Sequence, residues 1–179
     1  MGFSLLSSDY YTRWVSKSPD GADDDTIILT HELMQRAGFE KVVFYDRDTP
    51  LARIEYMQWA KDDRKLFFVL FKRDGTPIAL CWLTDPSATG SQTFSHFATL
   101  GTATPEECMA AGRQLIKFIG TLTVIKQLVG ITPSCYRHAL QFAYGLGFKK
   151  LTILEKAVKC FGKDRDAVLS ICNISELAV

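Results

Sequence analysis

Long apolar runs are missing from this chain: none exceeds Leu66 to Phe71, far short of the roughly twenty residues a membrane-crossing helix needs. No charged N-terminal segment precedes an apolar core of signal length, and Leu6 stands where the myristoylation pattern wants Ser or Thr. The expectation is a protein without a membrane attachment. Charge of one sign is also lacking, since 21 Lys and Arg against 20 Asp and Glu leave +1. That is too little for a protein that neutralises nucleic-acid phosphates along its whole surface, which argues against a nucleic-acid partner. There are three histidines, and the five cysteines, Cys81, Cys108, Cys135, Cys160 and Cys172, form no C-x-x-C pair. A disulfide framework and a paired-cysteine zinc site are thereby excluded; no metal is expected, and a reducing, cytoplasmic setting is.

What is present is 179 residues, 47% hydrophobic and 23% charged, enough for one domain that buries about two-thirds of its unfolded surface. Charge is divided unevenly: residues 1–112 carry 11 basic and 16 acidic side chains, residues 113–179 carry 10 and 4. The C-terminal part therefore favours an anion, unless its lysines are simply a solvated face.

Along the chain, residues 1–25 read as an N-terminal arm ending in a polar connection (SKSPDGADDD), whose acidic run lacks the spacing of a calcium loop. Tyr10, Tyr11 and Trp14 in the arm form an aromatic cluster able to dock on the domain or on a protein partner. Asp25 is placed to cap a helix carrying Ile27, Ile28, Met34 and Ala37, stopped by Gly38. Phe39 to Tyr45 reads as a strand, and Thr49-Pro50 as the start of a second helix with Leu51, Ile54, Met57 and Gln58 on one side. Leu66 to Phe71 and Ile78 to Leu83 form a hairpin around Asp74-Gly75, and Thr93 to Leu100 a third strand. Phe67 and Phe68 point to opposite faces, as in a central strand covered on both sides; without interleaved arginines the aromatics of this hairpin read as core rather than as a base-stacking platform. A helix from Thr104 to about Gly120, a strand from Leu122 to Val129, a helix from Ser134 to Leu146, and a hairpin of Lys150 to Lys159 with Ala167 to Ile174 complete the order.

That order, with the segment LVGITPSCYRHALQFAYGLGFKKL from Leu128 to Leu151, resembles the GNAT acyltransferase superfamily. The match lies in a strand, a glycine-proline exit, a helix with Ala139 eight residues before Gly147-Phe148, and another strand. The glycine permits a left-handed helix end and the aromatic re-enters the core. The resemblance implies a mixed α/β fold, with residues 26–179 a single GNAT-like domain whose central sheet of six or seven strands is flanked by helices. It further implies an acyl-CoA-dependent N-acyltransferase, taking acetyl-CoA as cofactor and an amine acceptor of unknown identity. Thr99, Gly101, Thr102, Ala103, Thr104, Gly112 and Thr132 would then line the coenzyme site.

The family's R/Q-x-x-G-x-G/A loop holds a diphosphate on backbone N–H groups. Here Glu107, Ala110 and Gly112 fall on its three defined positions, and Gly112 alone fits. Thr104-Pro105-Glu106-Glu107 instead spells a capping box, which places carboxylates at the positive end of the helix dipole. This departure favours a second expectation, a non-catalytic GNAT-like binding or assembly module similar to some phage-encoded proteins, including those of head assembly.

For the chemistry, the resemblance assigns a base to the acceptor-lining strand and a tyrosine acid to the last helix. His96 is the candidate base, because its ordinary pKa lies near neutrality; the alternative is a hydrogen-bonded core histidine. Tyr136 stands where the family has Asn, and Tyr144 falls one position past the usual tyrosine, about 100° around the helix; either also reads as a structural tyrosine with one bonded hydroxyl. Cys135 and His138 at a helix start have the types of an activated thiolate, although a small structural cysteine explains Cys135 as well.

Overall fold

A computed structural model describes residues 4–6, 9–15, 23–47, 49–85, 87, 89–122 and 124–177. Its centre is the hairpin of β3 (Lys65–Lys72) and β4 (Pro77–Thr84), whose apolar runs are buried on both faces. The turn uses Gly75 at φ +89, and the Asp74 carboxylate accepts from the Thr76 N–H at 2.9 Å. Around this hairpin grows one eight-stranded sheet in the order β1-β2-β3-β4-β5-β6-β8-β7, completed by β1 (Ser4–Leu6), β2 (Tyr10–Trp14), β5 (Gln92–Thr99), β6 (Gln127–Pro133), β7 (Lys149–Cys160) and β8 (Lys163–Asn173). Every pairing is antiparallel except β5 with β6. A parallel pair needs a crossover, and α4 (Pro105–Leu122) supplies it.

Helices cover both faces. On one, α1 (Asp24–Arg36) and α3 (Arg53–Ala60) bring Ile27, Met34, Tyr56 and Ala60 against Phe67, Val69, Leu80 and Trp82. On the other, α4 brings Leu115, Ile116 and Ile119 against Phe68, Leu70, Cys81 and Leu83, and α5 (Arg137–Gly145) packs at its flank. Phe67 and Phe68 do fall in opposite cores. Gly147 at φ +98 ends α5, the Phe148 N–H donates to the Ala143 carbonyl at 3.0 Å, and the Phe148 ring is buried.

Five expectations are corrected. Two strands lie where an arm was expected: β2 extends β3, Tyr11 stacks on Phe71 at 4.9 Å, and Thr12 is buried, which raises the strand count from six or seven to eight. Most of the expected connection, residues 16–22, lies outside the described residues. Phe39 to Tyr45 is a helical turn, α2 (Glu40–Val43), rather than a strand. Periodicity cannot settle so short an apolar run; the buried Glu40 carboxylate, accepting from the Leu51 N–H at 2.7 Å, folds the chain back. Thr49-Pro50 does not open α3. Ala52 precedes the helix, Glu55 reaches back to its N–H at 2.8 Å, and Ile54 faces solvent. The strand placed at Leu122 to Val129 begins at Gln127, because α4 continues to Leu122, and it runs through Gly130 to Pro133. A side chain on Gly130 would stand 3.0 Å from the Ser170 hydroxyl, so glycine marks a close approach within the strand and not its exit. The helix expected from Ser134 starts at Arg137, after the Ser134 N–H has been taken by the Asp166 carbonyl at 2.8 Å.

Candidate active site

Strands β5 and β6 pair only at Gln92 with Gln127, Thr93 with Leu128 and Phe94 with Val129. Beyond these three pairs they part. A final bond, from the Ser95 hydroxyl to the Val129 carbonyl at 3.3 Å, marks the apex of the wedge. Strand edges leave backbone N–H and C=O groups in want of partners, and between the two edges lies a cavity of about 810 Å³. It passes from the α1–α3 face, where Phe39, Val43, Tyr45 and Trp82 line it, to the α4–α5 face. Its described lining contains no Asp, Glu, Lys or Arg.

His96 and Tyr136 both line this space. His96 sits opposite Trp82 in the β4–β5 register, its ring stacked on the indole at 5.0 Å and 5°, with Nε2 3.3 Å from the Thr84 hydroxyl. The side chain is accessible, but what it exposes is the wall of a concavity. Burial pushes its imidazole down to about 4, against a weaker opposing pull from Asp85. It is therefore neutral near pH 7. Tyr136 stands just before α5, its ring edge-on to Tyr45 at 6.0 Å and to Phe161 at 6.3 Å. The buried Cys160 thiol donates to its oxygen at 3.4 Å. Burial first, then the Cys160 contact, raises the phenol above its usual value, so it keeps its proton.

The remaining candidates divide. Thr99, Gly101, Ala103 and Thr132 line the cavity, and Gly101 takes φ +73 at the bend from β5 toward α4. Thr102 and Thr104 do not line it: the Thr102 hydroxyl is bonded to the Pro77 carbonyl, and Thr104 is committed to the cap. Its hydroxyl accepts from the Glu107 N–H at 3.3 Å while the Glu107 carboxylate accepts from the Thr104 N–H at 2.8 Å. Lys72 holds the same carboxylate at 2.8 Å, so the negative charge at the start of α4 is half answered. Gly112 reaches the cavity, but a Cβ there would lie 2.8 Å from Leu146, so its smallness admits α5 rather than a phosphate. Arg113 ties that junction by donating twice to the Gly145 carbonyl, at 3.1 and 2.8 Å. Tyr144 is 42% exposed and outside the lining, as its one-residue offset around the helix requires. Cys135 is no activated thiolate; partial desolvation and a hydrogen bond with Cys160 raise its pKa.

Sequence reasoning missed Trp82, Tyr45, Cys160 and Phe142. Trp82 was within reach, since hairpin register sets it opposite His96. The others are separated from their partners by long stretches of chain: Phe142 packs tilted against Phe97 at 4.7 Å, and Cys160 meets Tyr136 through the β7–β8 hairpin. Among the described residues no group of His, Cys, Asp and Glu is placed to hold a metal ion, and no helix is long and apolar enough to cross a membrane.

No known family profile and no curated protein matches this sequence. Solved structures do match the fold. A ribosomal-protein-S5-alanine acetyltransferase from Vibrio fischeri aligns with a TM-score of 0.73 at 12% identity, over 99% of this chain and 100% of that one. RimL, a ribosomal L7/L12 α-N-protein acetyltransferase, aligns at 0.76 and 11%, over 97% and 95%. The spermidine N-acetyltransferase of Vibrio cholerae, solved with CoA and spermine, aligns at 0.69 and 12%, over 97% and 100%. At such identities the likeness is one of fold, and the fold is that of the GNAT acyltransferases.

Proposed function

We propose that this chain is an acyl-CoA-dependent N-acyltransferase, transferring an acyl group, acetyl in the simplest case, to an amine acceptor. The observation that carries the reading is the parted β5–β6 pair: two open strand edges face a cavity that crosses the sheet, with a neutral imidazole and a protonated phenol on its walls. The coenzyme would supply an acyl group activated as a thioester. Its amide-bearing arm fits between the facing edges of residues 95–99 and 130–133, which do not pair with each other, with Thr99, Gly101, Ala103 and Thr132 beside it. Gly112 does not contribute as the resemblance implied, and at the diphosphate end Glu107 stands where the family offers attraction.

His96 receives the proton that the amine releases as its nitrogen bonds to the acyl carbon. Nε2 lies 3.3 Å from the Thr84 hydroxyl, and the Trp82 stack fixes the ring plane. A base this weak serves an amine that arrives uncharged, and a cavity without carboxylates favours that form. Tyr136 holds a proton for the departing sulfur, and burial together with the Cys160 contact keeps that proton on the phenol until the thiolate forms. The setting we take to be cytoplasmic, which five free cysteines support.

The test is a titration with acetyl-CoA followed by amide chemical shifts. Saturable shifts within residues 95–104 and 130–136 are expected. Silence at millimolar ligand would overturn the reading and leave a non-catalytic GNAT-shaped binding or assembly module of the phage-encoded kind. That second reading draws on one observation, the α4 N-terminus satisfied by the chain's own Glu107 and Lys72.

A further inference from the structure

Among the described residues, three other than glycine take positive φ: Asp85, Lys156 and Phe161. Aspartate tolerates that region of backbone space, and the Lys156 N–H is held by the Asp166 carboxylate at 2.9 Å. Phe161, at φ +52, is the bulky apolar one. With Gly162 at φ +71 it makes the two-residue loop of the β7–β8 hairpin, closed by the Cys160–Lys163 pair. Two positive φ angles in such a loop suit Asn-Gly, and a phenylalanine in the first place is strained. Burial does not offset the strain, because the ring is 61% exposed. A Cβ added at Gly162 would meet nothing within 4 Å, so the loop stands in open space.

What the position does achieve is a place beside the candidate site. The Phe161 N–H donates to the Tyr45 carbonyl at 3.4 Å, and its ring meets the Tyr136 ring edge-on at 6.3 Å. Tyr136 in turn meets Tyr45 edge-on at 6.0 Å, and both tyrosines line the cavity while staying partly exposed. Three rings, from the segment after α2, the start of α5 and the β7–β8 loop, therefore gather at one margin of the cavity. Local rules broken without a packing gain are a mark of function.

We propose that Phe161 is a specificity-determining residue for the acceptor, and that the acceptor is an arylamine whose ring lies against Phe161 and Tyr136; this rests on the acyltransferase reading above. Rings favour edge-on and offset contact with other rings, and the exposed Phe161 offers one. The described lining holds no carboxylate to pair with an alkylammonium, whereas an arylamine, its lone pair delocalised into the ring, is uncharged at neutral pH. Its nitrogen sheds a proton as it bonds to the acyl carbon, and His96 takes that proton. The C–S bond breaks, and the departing sulfur takes the Tyr136 proton.

Two measurements test this on the CoA-loaded protein: binding of 4-ethylaniline and of 4-ethylcyclohexylamine, the same skeleton without aromatic character, by amide chemical shifts, and thermal unfolding. Wild type is expected to favour 4-ethylaniline at least fivefold. Phe161→Asn and Phe161→Leu should each weaken it about two- to tenfold, while Phe161→Asn, relieved of the strain, should raise Tm by about 2 to 4 °C. A ring that serves packing alone gives the opposite pattern, a lower Tm for Phe161→Asn and unchanged 4-ethylaniline affinity in Phe161→Leu, and either result overturns the proposal. If CoA binds but 4-ethylaniline binds no better than 4-ethylcyclohexylamine, the arylamine assignment falls and the acyltransferase reading stands. Failure of both CoA and acetyl-CoA to bind overturns both.

Discussion

Glu107→Gln is the substitution that isolates the electrostatics at the start of α4. In the wild type the carboxylate bridges the Thr104 N–H and the Lys72 ammonium, each at 2.8 Å, and both contacts hold it below the usual carboxylate range, Lys72 more strongly. Glutamine keeps an oxygen for the Thr104 N–H and so preserves the cap, but it removes the negative charge and releases Lys72. One charge at a helix N-terminus changes a binding constant about two- to fivefold at low ionic strength. A freed lysine adds an effect of similar size, so coenzyme A should bind roughly tenfold tighter at 50 mM salt. Screening supplies the signature: the Debye length falls from about 10 Å at 0.1 M to about 3 Å at 1 M, so most of the gain should vanish at high salt. Isothermal titration at both salts, with Lys72→Met added to Glu107→Gln as control, separates the two contributions. Unchanged or weaker binding, or a gain indifferent to salt, would refute the argument that the protein's own carboxylate competes with the diphosphate.

The titration of His96 is expected near pH 4 rather than near 6.5, because burial depresses it. The folded state then binds fewer protons than the unfolded one between those values, so this contribution to stability is present above pH 6.5 and is lost as pH falls through 4. Following the imidazole C–H resonances against pH checks it, and a midpoint at 6.5 would count against a desolvated ring. Tyr136→Phe should lower kcat about a hundredfold with little change in KM; kcat within twofold of wild type would remove the phenol as acid. Glu40→Ala strands the buried Leu51 N–H and should cost about 2 to 3 kcal/mol, or about 8 °C in Tm for a chain of this size. Because α2 carries Val42 and Val43 to the cavity, a raised KM for the acceptor should accompany it; a urea midpoint equal to wild type would show that Glu40 does not hold this segment.

Features that depend on a few neighbouring residues were legible in advance. The Asp74-Gly75 hairpin, the Thr104–Glu107 capping box and the Gly147-Phe148 helix end each rest on local backbone conformation, and each stands as read. Features that need a distant partner were not. The apolar run Val42, Val43 and Phe44 suits a strand as well as a helical turn until Glu40 finds Leu51 eleven residues on. The β1–β2 pair looked like an arm because its partner β3 begins about fifty residues later.

The sequence by itself determined the class of fold, the central strands, the departure at Glu107 and the candidacy of His96 and Tyr136, since residue type, spacing and period are carried by the chain locally. Only the tertiary structure decided that β5 and β6 part after three pairs, that a cavity opens between their edges, and that Cys160 stands behind the Tyr136 phenol. Each of these is set by side chains brought together from separate elements, and pattern along one segment holds no record of what packs against it.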